Sequence, residues 1–224
     1  MTESRVDRAA TLVAQSIDFT YPNGTRVSEY WSAGFRRYSM TALTGPSGSG
    51  KSTLLCLLGL MHRPTRGDVV VEGESTSPLR DVQRAHLRAH RFGFVFQDAA
   101  LDPSRTVIDN VIESALYRGE PRRDALRVAA QLMTQFGVEL RADHKPGQVS
   151  GGQAQRIALC RALLGTPRFI LADEPTGNLD PTTRDLVVSA LRQRADEGAC
   201  VVIATHDPIV AAACNEIVEL EAAP

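Results

Sequence analysis

The sequence predicts an α/β fold interrupted by a helical segment. Three observations carry this expectation. Short apolar runs bounded by turn residues recur along the chain, as strands do in a layered core. A glycine-rich loop at residues 45–52 joins one such run to a helical pattern. Residues 107–164 carry helical periodicity and no convincing strand.

Residues 12–20 and 27–31 read as short strands separated by a Pro22-Asn23-Gly24 turn. Residues 39–44 read as a buried strand entering the glycine-rich loop, and 51–60 as the helix leaving it. A strand at 68–72 lies between Gly67 and Gly73. A polar helix follows at 79–90, then a strand of alternating phenylalanines at 92–96. Within the middle segment, 122–136 and 152–164 are the clearest helical patterns. Three apolar strands are expected at 169–172, 200–204 and 217–220. A helix at 181–194 lies between the first two, with Pro181 at its first turn.

A chain of 224 residues suits one domain, or one with a sizeable subdomain, and buries a core without disulfide or metal staples. A hydrophobic share of 43% points neither to disorder nor to a membrane protein. The net charge of −1 argues against a strongly electrostatic nucleic-acid binder. Cys56, Cys160, Cys200 and Cys214 form no CxxC pair and lie in apolar stretches, so they read as small buried side chains in a reducing compartment. The opening residues lack a signal-peptide core. The longest apolar stretch, 54–61, is far short of the roughly 20 residues that span a bilayer. The expectation is a cytosolic protein, or one that docks on a membrane through a partner.

Gly45, Pro46, Ser47, Gly48, Ser49, Gly50, Lys51 and Ser52 fit the phosphate-loop pattern at every fixed position. Glycines let backbone N–H groups turn inward around phosphate oxygens, and the helix N-terminus adds partial positive charge. Lys51 reaches β- and γ-phosphates, Ser52 offers a hydroxyl to Mg²⁺, and Thr53 is placed for the α-phosphate. The strand at 169–172 ends in Asp173 and Glu174. Asp173 would hold the metal, usually through water, and Glu174 would act as general base or orient water. These two motifs together leave kinase, GTPase and transporter ATPase open.

Val149, Ser150, Gly151, Gly152 and Gln153 narrow the class. They resemble the signature motif of the ATP-binding cassette (ABC) family, with Ala154-Gln155-Arg156 and Arg161-Ala162-Leu163 following as in that family. The resemblance implies a head-to-tail dimer in which this motif closes over ATP held by the partner's phosphate loop. Tyr21 resembles the aromatic that stacks on adenine. Gln97 resembles the glutamine that senses Mg²⁺ and attacking water and couples to the membrane partner. Asn178, Leu179 and Asp180 resemble the loop that crosses the dimer interface, and His206 the switch histidine on γ-phosphate. The implied fold is a RecA-like core with an N-terminal antiparallel β subdomain and a helical subdomain. The cassette would span 11–221, with 107–164 as the helical subdomain and 1–10 as an N-terminal extension.

The run from Leu171 to Asp180 looks like the branch containing lipoprotein-release, macrolide and peptide exporter, and cell-division ATPases, and so does the run from Gly93 to Gln97. The implied function is the ATP-hydrolysing subunit of a bacterial ABC transporter. Two copies would bind Mg-ATP and move separate membrane permease subunits at the cytoplasmic face, for export or extrusion of lipoprotein, peptide or antibiotic. An alternative is an ABC ATPase that regulates a membrane-associated partner without transport. A soluble ABC ATPase of translation or DNA repair is a further reading, set against the single cassette and the lack of a long coiled-coil insertion. There are departures from the family pattern. Val149 replaces leucine, Asp102 stands where an apolar residue commonly precedes Pro103, and the turn at Arg36-Arg37-Tyr38 lacks the usual glycine–acid pair.

Overall fold

The computed structural model describes residues 9–177 and 179–221; residues 1–8, in the expected N-terminal extension, and Asn178 lie outside them. Strands β1 (Leu12–Thr20), β2 (Arg26–Phe35), β4 (Arg66–Val71) and β5 (Glu74–Ser75) form an antiparallel sheet in the order β2-β1-β4-β5. Strands β3 (Ser39–Thr44), β6 (Phe92–Val95), β7 (Phe169–Asp173), β8 (Cys200–Ala204) and β9 (Glu216–Glu219) form a parallel sheet in the order β6-β7-β8-β3-β9. The helices are α1 (Lys51–Leu58), α2 (Asp81–Arg91), α3 (Val107–Tyr117), α4 (Arg122–Gln135), α5 (Gly151–Leu163), α6 (Pro181–Asp196) and α7 (Pro208–Ala212).

The apolar runs of β7 and β8 follow from burial on both faces, as parallel strands require. Side chains alternate across the sheet with period two. Ile170, Ala172, Val201 and Ile203 therefore join α3–α6 in one core. Phe169, Leu171, Cys200, Val202 and Ala204 join α1 and the antiparallel sheet in the other. The central strands thus hold both layers rigidly, and their C-terminal ends lie side by side. Between β6 and β7 the described elements are helical, as the sequence predicts: α3, α4, two short 3₁₀ turns and α5.

Several boundaries differ from the sequence expectation. Helix α1 stops at Leu58: Gly59 caps it and Leu60 turns left-handed at φ 60°. Strand β2 is longer than expected because it pairs with β1 through bulges that break its alternation. The polar helix begins at Asp81, since Arg80 is extended and its N–H is accepted by Gln83 at 2.8 Å. The two-residue β5 and the single-turn α7 are too short to show periodicity. Cys160 and Cys200 are buried, and burial pushes both thiols up to about 12. Cys56 and Cys214 are only half-buried, which corrects the expectation for those two.

Candidate active site

Three loops leave the C-terminal ends of β3, β7 and β8, the position where open α/β sheets bind ligands. They frame a cleft of about 450 Å³ lined by Tyr21, Thr25 and Val27 at one end, the phosphate loop in the middle, and Gln97, Asp173, Glu174 and His206 at the other.

The phosphate loop owes its path to two glycines. Gly50, the N-cap of α1, adopts φ 88°, and a Cβ there would meet Val27 Cγ1 at 2.4 Å. Gly45 adopts φ 148°, and its Cβ would meet the Leu220 carbonyl oxygen at 2.7 Å. Ser47, Gly48, Gly50, Lys51, Ser52 and Thr53 face the cleft. Gly45, Pro46 and Ser49 do not line it; they form the body of the loop, where Ser49 N–H donates to the Pro46 carbonyl at 3.2 Å. Lys51 Nζ donates to the carbonyls of Gly45 and Pro46, each at 2.8 Å, which holds the ammonium over the loop.

Asp173 ends β7 and accepts a hydrogen bond from Ser52. Burial pushes its carboxyl above the usual carboxylate range; Glu174 adds to that, while Ser52 and Lys51 pull it down. Ser52 and Asp173 with the amide of Gln97 offer oxygen donors, the set Mg²⁺ prefers when water and phosphate complete its shell. The residues present therefore fit that ion.

Glu174 is held more tightly than its neighbour. Its backbone sits at φ 44°, and its N–H donates to the Ala204 carbonyl at 2.9 Å. A non-glycine residue there stores strain of order 1–3 kcal/mol, which the surrounding bonds offset. The carboxylate accepts from His206 Nδ1 at 2.7 Å, His206 N–H at 3.1 Å and the Thr205 hydroxyl at 3.3 Å. His206 Nδ1 therefore carries a proton, and Nε2 belongs to a ring that is 79% exposed.

Tyr21 presents its ring edge-on to Phe19 at 5.0 Å, and its hydroxyl lies 2.8 Å from Thr53 Oγ1. Gln97 follows β6 on a segment fastened by α5. Gln155 Nε2 donates to the Phe96 carbonyl at 3.2 Å, and Arg161 donates to the carbonyls of Ala99 and Ala100, both at 2.7 Å. Asp102 accepts from the Ser104 N–H and hydroxyl and pairs with Arg105, so it caps a local turn at the position where the family pattern commonly has an apolar residue.

The signature residues lie elsewhere. Ser150 caps α5: its Oγ accepts from Gln153 N–H at 3.3 Å, and Gln153 Oε1 accepts from Ser150 N–H at 3.0 Å. Gly151 has open space where a Cβ would be, and Gly152 faces Leu179. Asp180 caps α6 through Thr183. None of Ser150, Gly151, Gly152, Gln153 or Asp180 lines the cleft. Thr25, Val27, Thr205 and the anchoring bonds of Gln155 and Arg161 were not singled out from sequence. Thr205 adjoins His206 in the chain, which was the one available signal.

A phosphate loop, a strand ending in two carboxylates and a glutamate clamped beside a histidine define a nucleoside triphosphatase. Residues 30–177 match the ABC transporter family, and the chain belongs to it. It is 45% identical over 182 residues to the lipoprotein-releasing system ATP-binding protein LolD 1 of Rhodospirillum rubrum, covering 81% of this chain and 80% of that one. It is 42% identical to the macrolide export ATP-binding/permease protein MacB of Hahella chejuensis over 81% of this chain and 28% of that longer protein. Among solved structures, the dimeric ABC transporter cassette MJ0796 superposes with a TM-score of 0.88 at 32% identity, covering 94% of each chain. The same cassette in a post-hydrolysis state with ADP and Pi also scores 0.88, at 31% identity over 95% of this chain and 97% of that one. The fold is that of an ABC-type ATPase, and the chain is an ATP hydrolase. No helix among the described residues is long and apolar enough to cross a membrane.

Proposed function

We propose that this chain is the energy-coupling subunit of a bacterial transporter complex of the lipoprotein-release and macrolide-export type. Two copies bind two Mg-ATP and close head to tail, and that closure moves separate permease subunits at the cytoplasmic face of the membrane. The names of the relatives support the branch. The dimeric cassette of the same fold supports the pairing.

One observation carries the catalytic reading: Glu174 is fixed at the cleft by three donors from the Thr205–His206 corner. In the proposed mechanism Tyr21 stacks on adenine. The phosphate-loop amides, Lys51 and Thr53 bind the phosphates. Ser52, Asp173 and Gln97 would hold Mg²⁺, and the ion would supply positive charge against the phosphates. Glu174 takes a proton from the attacking water. His206 donates its ring N–H to the γ-phosphate, which leaves the Glu174 carboxylate free to accept the proton of the water. Ser150, Gly151, Gly152 and Gln153 of one copy cover the nucleotide of the other, and Asp180 crosses the interface.

Glu174→Gln is expected to lower turnover by roughly 100-fold or more while ATP binding survives. Size exclusion with ATP should then show an accumulated dimer. Normal turnover in that variant removes Glu174 from the role. Recovery of the native chain free of any membrane complex after gentle solubilisation defeats the coupling role and leaves the hydrolase intact.

A further inference from the structure

Two histidines on α2 have no part in the nucleotide site. His86 and His90 stand one turn apart, so helix geometry places them on the same face. Both are exposed, and their ring centroids lie 4.0 Å apart at an interplanar angle of 31°. They do not dock the helix. That is done by Arg84, which donates to the carbonyls of Leu60 at 3.0 Å and His62 at 2.5 Å, and by Arg88, which donates to Leu60 at 2.8 Å.

The hydrogen bonding assigns a protonation pattern. His90 Nδ1 lies 2.8 Å from the backbone carbonyl oxygen of His86. A carbonyl only accepts, so Nδ1 carries the hydrogen. In the neutral ring Nε2 is then the bare nitrogen, on the far side from the helix backbone. This is the usual dress of a metal-ligating histidine, whose second nitrogen donates to a backbone carbonyl that fixes the tautomer and raises ligand basicity. Its neighbour His86 is already within ring-contact distance, one helical turn away on the same face.

We propose that His86 and His90 form a bidentate surface site for a divalent transition-metal ion of the Zn²⁺, Ni²⁺ or Cu²⁺ class. Imidazole selects these ions over Mg²⁺ and Ca²⁺, and Cu²⁺ binds tightest of the three. Water completes the shell, because no group of three or more His, Cys, Asp or Glu side chains is placed to share a metal among the described residues. The site is accordingly exchangeable, unlike the closed four-ligand sites that staple small domains. Arg91, the next residue in the chain, turns its guanidinium to Glu72 at 3.9 Å. A bound ion would clamp the last turn of α2, directly before β6, the strand that leads to Gln97.

The test uses untagged, nucleotide-free protein titrated with Cu²⁺ by calorimetry and followed by electron paramagnetic resonance. One ion per chain with nitrogen ligation is expected, undisturbed by excess Mg²⁺. His86→Ala and His90→Ala should each weaken binding by about tenfold or more. Alanine favours helix, and neither residue belongs to the nucleotide site, so both variants should keep the metal-free ATPase rate. Affinity unchanged in both variants, or wild-type protein that takes up no ion, overturns the site.

Discussion

Asp173 shows how one residue is placed for a ligand at the expense of the free protein. Its side chain sits at the end of a strand buried on both faces, and burial is the main cause of its raised pKa. A carboxyl whose folded pKa lies above its unfolded value costs stability as pH rises past the unfolded value, and in full once pH exceeds the folded one. That cost fades as pH falls toward the ordinary carboxylate range near about 3.9. Asp173→Asn keeps an oxygen to accept from Ser52 and removes the buried charge. Its nucleotide-free melting temperature at neutral pH is expected to rise by roughly 2 °C or more. The gap to wild type should narrow as pH is lowered. The further rise that wild type gains on adding Mg-ATP should disappear, since that rise reflects ligand binding to the folded state alone. Calorimetric scans with and without nucleotide check both parts, and a fall in the nucleotide-free value refutes the argument. At this scale the sequence was informative about identity and silent about restraint. Asp173 and Glu174 are legible as a strand ending in acids. The φ of 44° at Glu174 and its bond from Thr205 depend on β8 lying alongside β7, which no local pattern encodes.

At the scale of elements, long periodic segments were legible and short ones were not. The runs at β7 and β8 announce themselves because both faces are apolar. Helix α7 has only five residues, although Asp207 caps it and Pro208 opens it. The segment after β6 was the least legible. Ala99 and Ala100 adopt φ of 60° and 44°, and their carbonyls are taken by Arg161 from α5. Arg161 was read only as part of a motif, because its partners lie about sixty residues upstream. Ala99 is buried, so its carbonyl has no ready substitute for the guanidinium. Arg161→Ala should cost on the order of 2 kcal/mol in urea unfolding. It should also slow ATP turnover by loosening the segment that carries Gln97. Arg161→Lys should not restore both effects, because an ammonium does not serve two carbonyls with the planar fork of arginine. Unchanged unfolding in Arg161→Ala refutes the anchoring role.

At the scale of the whole molecule, the cleft and the signature turn are the two features that sequence order alone does not bring together. The cleft gathers residues from Tyr21 to His206. Ser150 and its glycines cap α5 outside it, with Gly151 facing open space. If the signature turn serves only its own chain, it is an N-cap and nothing more. If it serves a second chain, defects in the two half-sites must complement. Lys51→Ala disables the phosphate loop, and Ser150→Arg places bulk where a phosphate of the partner's nucleotide would lie. Each homodimer then carries no intact site. A mixed dimer carries one, built from the phosphate loop of the Ser150→Arg chain and the signature turn of the Lys51→Ala chain. Mixing two inactive proteins in equal amounts should therefore recover up to roughly a quarter of the wild-type rate, since half of randomly paired dimers hold one good site of two. The recovered rate per subunit should fall on dilution, as association is lost by mass action. A mixture that stays as inactive as its parts confines catalysis to a single chain and removes the composite site from the mechanism.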